Sequence, residues 1–160
     1  MTIPQRRPLE FQSLDEMLVD VENLHHYGYR PVGKWNLTQV TGHLGEWMRY
    51  PMDGFPRMPP PVRAMMWVLR NTIGKQAKRK ILTTKTFAMG GPTIKESVPV
   101  PDGDEQEAIS RFRDVVGRMK AYEGVLIPSP LFGPLTRDEW VGLSLIHAAH
   151  HLSFLLPKTS

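Results

Sequence analysis

In four stretches of this chain, apolar residues return every three or four positions, and each stretch has a capping signal at its start and a glycine or proline near its end. Ser13-Leu-Asp-Glu16 is a capping box. Leu14, Met17, Leu18, Val21 and Leu24 follow it at helical spacing, and Gly28 and Pro31 stop the helix after about His26. Asn36 opens a second helix with Leu37, Val40, Leu44, Trp47 and Met48 on its apolar side, closed by Pro51 and Asp53-Gly54. Asp102-Gly-Asp104-Glu starts another, where acids suit the N-terminal dipole; Ile109, Phe112, Val115, Val116, Met119 and Tyr122 line it as far as Gly124. The last opens on a second capping box, Thr136-Arg-Asp-Glu139, and puts Trp140, Leu143, His147, His151 and Phe154 on one face. Each helix has an apolar stripe to cover, and packing helix on helix around one core covers all four. The expected class is all-α, with a four-helix bundle as its simplest architecture.

An insertion at about 55–101 interrupts this plan. Pro56, Pro59, Pro60 and Pro61 make a stiff connector. Val62 to Ile81 reads as an extra helix, with Met65, Met66, Leu69 and Ile73 on one side and the basic run Lys75-Gln-Ala-Lys-Arg-Lys80 in its second half. Thr83 to Pro101 has no helical period and reads as a long loop with room for a short strand. Its Gly90-Gly91-Pro92 lacks the Gly-x-x-x-x-Gly-Lys-Ser/Thr pattern of a phosphate loop. With no internal repeat, residues 1–160 read as a single domain.

The opening MTIPQRRPLEF has no apolar run, and no window holds about 18 uninterrupted apolar residues. A cytoplasmic protein with no membrane partner is the expectation. The formal net charge is +4. Arg70, Lys75, Lys78, Arg79, Lys80 and Lys85 read as a solvated helix face, and without interleaved aromatics a nucleic-acid partner is not expected. Met65-Met66-Trp67, near Phe55 and Met58, suits a pocket wall, a dimer contact or ordinary packing.

The chain contains no cysteine, which leaves histidine and carboxylate as its metal ligands. His147 and His151 are four residues apart and so stack on one helix face, the spacing that gives one ion two imidazoles. His43 falls on the apolar side of the second helix, three after Val40 and four before Trp47, so it points inward too. Three imidazoles leave a coordination position open for water or substrate. A bland alternative is three packed, hydrogen-bonded core histidines. His150 lies about 100° round the helix from His151 and is expected to flank the cluster or reach solvent. His25 and His26 end the first helix and are expected to favour its C-terminal dipole. A carboxylate-bridged pair of metals would need inward glutamates from all four helices, and only Glu46 is near such a place. Glu46 reads as a solvated residue or an orienting partner of His43. Trp35 and Trp140, just before or at the start of the histidine helices, read as structural anchors.

Trp35-Asn-Leu-Thr-Gln-Val-Thr-Gly-His43-Leu and His147-Ala-Ala-His-His151-Leu-Ser-Phe-Leu resemble the two signature regions of the DinB-like (YfiT-like) metal-binding bundles. Leu131-Phe-Gly-Pro-Leu-Thr-Arg-Asp-Glu-Trp140 is similar to a DinB-related bacterial family of unknown function. The resemblance covers roughly 13–52 and 104–156. It implies an up-down-down-up bundle, often dimeric, with one divalent ion (Zn, Ni or Fe) held by His43, His147 and His151. Characterised members include bacillithiol-using S-transferases and a mycothiol-dependent maleylpyruvate isomerase. The implied activity is that of a metal-dependent hydrolase or thiol-dependent transferase acting on a small molecule; a non-catalytic, metal-free ligand-binding or interaction bundle is the alternative. If an anionic thiol cosubstrate binds, the basic insertion is where its charge partner is expected.

Overall fold

The helices form where the capping chemistry places them. The structure is a computed structural model and describes residues 6–87, 97 and 99–158. Helix α1 spans Leu14–Tyr27, and the Ser13 side chain accepts from the Glu16 amide. Helix α2 is Leu37–Asp53, and Asn36 and Gln39 cap it reciprocally. After the insertion come α5, Glu105–Ala121, capped by Asp104, and α6, Arg137–Leu152, opened by the reciprocal Thr136 and Glu139 pair. Each capping bond satisfies an amide that the first helical turn leaves without a backbone partner.

These four helices supply one core. Met17, Val21 and Leu24 of α1 meet Leu37, Val40, Leu44 and Met48 of α2, Ile109, Phe112, Val116 and Met119 of α5, and Leu145, Ala148 and Leu152 of α6. The class is all-α, as expected, with one small sheet added.

That sheet was not foreseen. Helix α6 stops at Leu152, with Ser153 as its cap, so Phe154 stands outside the helix on which it was placed. Strand β2, Leu155–Pro157, then pairs antiparallel with β1, Tyr29–Pro31, which follows α1. The pairing ties the end of the histidine helix to the end of α1. Arg7 reinforces the junction: its guanidinium binds both Asp20 carboxylate oxygens, at 2.7 and 2.6 Å, and its amide donates to the Ser153 carbonyl.

Pro51 does not stop α2. The helix continues to Asp53 and ends at Gly54, where φ is +117°, a value that favours glycine. The inserted helix is also longer than expected and is interrupted. Helix α3, Pro60–Leu69, leads through a π turn at Arg70–Gly74 into α4, Lys75–Thr84. At the π turn, Gly74 lets another part of the backbone come close: a Cβ there would lie 2.2 Å from the Leu131 carbonyl oxygen. Helix α4 packs against α6, where Lys78 Nζ reaches Glu139 at 2.7 Å, whereas α3 buries none of its side chains. Most of the loop read at 83–101, including Gly90-Gly91-Pro92, lies outside the described residues.

Candidate metal centre

His43 sits in the second turn of α2, and His147 and His151 occupy the last two turns of α6. Because these helices pack on each other, the two histidine faces meet. His43 Nε2 lies 3.3 Å from His147 Nε2, and His147 Nε2 lies 2.9 Å from His151 Nε2. One nitrogen from each of the three falls within 4.8 Å of the others, close enough to hold a single ion.

The donor set fits such an ion. Two nitrogens on one tetrahedral zinc, each bound at about 2.0–2.1 Å, stand roughly 3.3–3.4 Å apart. The His43–His147 spacing already has that value, and the His147–His151 spacing would have to open slightly. His43 Nδ1 is 2.7 Å from Ser97 Oγ. When Nδ1–H donates to that hydroxyl, the Nε2 lone pair faces the cluster, which fixes the tautomer a ligand requires. His147 Nδ1, by contrast, is buried with no hydrogen-bond partner among the described residues.

Electrostatics keep the three rings neutral. Burial pushes His43 down to about 4. Burial, and then the neighbouring imidazoles, push His151 to about 3 and His147 well below its ordinary value. Among the described residues, the group that could hold an ion contains no carboxylate to oppose this. At neutral pH each ring therefore offers a lone pair and carries no charge to repel a cation.

Aromatic rings wall the cluster. Trp35 stacks on His151, with centroids 4.9 Å apart and planes 15° apart, so it belongs to the site and is not only an anchor outside it. Trp47 and Phe87 lie 4.4 and 5.1 Å from the His147 ring. Trp140 lies one layer further out, 5.7 Å from Trp47, in the anchoring place expected of it. His43 and His147 are buried, and half-buried His151 is the most accessible member.

The other candidates fall outside the cluster. His150 flanks it, edge-on to His151 and to Phe154. Glu46 is half-buried and pairs with Arg49 at 2.6 Å, while His43 Nδ1 bonds Ser97, so Glu46 does not orient His43. His25 stands in the last turn of α1, as expected, and has a specific partner besides: its Nδ1 is 2.8 Å from Glu105 Oε1. Ser97 is a site residue that the sequence does not announce. It stands in a segment with no periodicity, 54 residues from the histidine it bonds, and no local signal marks it.

The chain matches, over residues 3–158, the model of a family described as "Protein of unknown function (DUF1569)". No curated protein and no solved structure matches it.

Proposed function

The chain belongs to the DUF1569 family, and we propose that it binds one divalent metal through His43, His147 and His151 and uses it on a small-molecule substrate. The observation that carries this is the convergence of three neutral imidazole nitrogens, from two helices, within 4.8 Å. We further propose that its helices form a DinB-like up-down-down-up bundle, a single domain working in the cytoplasm as a monomer or homodimer. The two signature segments around His43 and His147–His151 support that assignment.

His43, His147 and His151 would hold the ion, whose Lewis acidity would serve to make a water or a thiol nucleophilic near neutral pH. The reaction class is therefore hydrolysis or thiol transfer. Ser97 holds the His43 tautomer. Trp35, Trp47 and Phe87 exclude water from the ligand rings and present apolar surface to a substrate approaching past His151. The identity of the ion among Zn, Ni and Fe is to be read by elemental analysis of protein purified without a histidine tag. About one equivalent of metal, lost in His151→Ala without loss of helical content, is the expected result. Metal-free protein whose stability ignores added Zn²⁺ and Ni²⁺ would remove the reading.

One observation favours a second reading, a metal-free ligand-binding bundle. The 2.9 and 3.3 Å nitrogen separations are also hydrogen-bond distances, and a His147 Nδ1 without a partner among the described residues suits a ring that holds its proton at Nε2. Nitrogen-15 shifts of the three rings separate the two: ligation moves all three together on adding Zn²⁺, whereas a hydrogen-bonded trio stays unchanged.

A further inference from the structure

Charge is segregated along this chain. From Gly54 to Lys95 there are nine lysines and arginines and no acid, while the rest of the chain holds eleven cations and sixteen acids. A segment of net +9 is thus joined to a body of net −5. The same segment leaves apolar side chains in water. Val62, Met65, Trp67 and Val68 of α3 and Ile73 of the π turn are exposed, with Trp67 66% accessible.

Basic and apolar groups also share one concavity. A groove of about 590 Å³ runs beside α3, lined by Met58, Met66 and Trp67 together with Arg57, Arg63 and Arg70. Among the described residues, none of these arginines has a carboxylate within 4.0 Å, whereas Arg7, Arg49, Arg111, Arg113 and Arg118 each do. Beyond the groove, α4 presents Lys75, Arg79 and Lys80 to solvent.

We propose that the face of α3 carrying Trp67 docks on an anionic phospholipid surface, with Trp67 and neighbouring Val68 entering the headgroup boundary and Arg57, Arg63 and Arg70, which share the groove with Trp67, meeting phosphodiester oxygens. An exposed apolar helix flanked by unpaired cations matches an interfacial helix, which combines apolar burial with attraction to anionic lipid. Tryptophan sits well at headgroup depth, and guanidinium pairs with phosphate through two hydrogen bonds. Among the described residues no helix is long and apolar enough to cross a membrane, and the proposed contact is with the surface. The proposal departs from the expectation, drawn from hydropathy, of no membrane partner. A second copy is the poorer occupant, because a two-fold interface would set one basic segment against its own image. Nucleic acid answers the charge but gives exposed Val68, beside Trp67, no apolar cover.

Sedimentation of the full chain with vesicles tests the proposal. Vesicles containing about one-third phosphatidylglycerol should carry the protein down, and phosphatidylcholine vesicles should not, with binding falling steeply as salt rises. Trp67→Ser with Val68→Ser should weaken binding at least about tenfold, and Arg63→Gln with Arg70→Gln by roughly as much. Because α3 buries no side chain, the apolar pair should melt like the parent, and Arg111→Gln, an exposed and paired arginine on another helix, should bind normally. Three results would each overturn it: no binding to anionic vesicles, equal binding to both vesicle types, or full competition by free glycerol phosphate. Self-association removed by Trp67→Ser would also overturn it and assign the face to a second copy.

Discussion

Histidine appears in two settings on this scaffold. At the end of α1, His25 Nδ1 lies 2.8 Å from one Glu105 oxygen, while the Tyr29 hydroxyl donates to the other, also at 2.8 Å. The hydrogen bond to Glu105 raises the His25 pKa, and this ring favours its charged form. Across the molecule, His43, His147 and His151 have aromatic rings and one another for neighbours, and all three are pushed towards the neutral form. A carboxylate commits an imidazole to holding a proton, whereas an apolar wall leaves its lone pair available. The contrast separates a structural histidine from a candidate ligand, although neither differs in residue type or in its position near a helix end.

Metal addition tests this difference most strongly. Zn²⁺ at a hundredfold excess over its Kd should stabilise the fold by about 2.7 kcal/mol, raising Tm by roughly 5–10 °C. His147→Ala and His151→Ala should abolish that rise, and His25→Ala should keep it in full.

Acid should divide the two settings by sign. His43 and His151 have folded values of about 4 and 3, below the ordinary 6.5, so the unfolded chain binds more protons in between. Their contribution to stability is complete above pH 6.5 and falls as pH drops towards 4 and then 3. For His43 the loss by pH 4.5 is on the order of 2 kcal/mol, read from denaturant unfolding of the metal-free protein. His25, with its pKa raised, contributes below pH 6.5 and loses that contribution as pH rises through its folded value. A His43→Gln variant should flatten the acid slope, and a Glu105→Gln variant should not.

Gly42→Ala acts on the triad alone. A Cβ at Gly42 would lie 2.1 Å from Pro99 Cγ, so the segment that also carries Ser97 must move away from α2. A cost of about 1–3 kcal/mol is expected, together with weaker metal retention by dialysis. Glu105→Gln has the smallest effect. Its partner is about a third exposed, so roughly 0.2–1 kcal/mol should be lost and metal binding should be unchanged by calorimetry.

The four core helices were legible because their information is local. Ser13, Asn36, Asp104 and Thr136 each bond an amide three residues away, and the apolar period follows at once. The inward faces of α2 and α6 also placed the three histidines. What escaped depends on contacts between distant parts of the chain. Three-residue strands containing Pro31 and Pro157 carry no alternation to read, and only their pairing with each other, Tyr29 to Pro157 through Pro31 to Leu155, makes them strands. Trp35 precedes its helix, so no helical period could aim it at His151. Pro51 failed as a stop signal because proline disfavours a helix interior without forbidding it.

The π turn at Arg70–Gly74 has a consequence for the phase of the inserted rod. A π turn adds one residue to a helical turn, so everything beyond it is rotated by about 100° relative to an uninterrupted α-helix. Helix α4 can therefore turn Lys78 towards Glu139 on α6 while α3 keeps its own azimuth outward. Deleting Asn71 should restore a continuous helix and swing one half of the rod about its axis. Either the Lys78–Glu139 contact would then be lost or the exposed side of α3 would turn elsewhere. The rod works as a two-part key whose halves are indexed by a single residue.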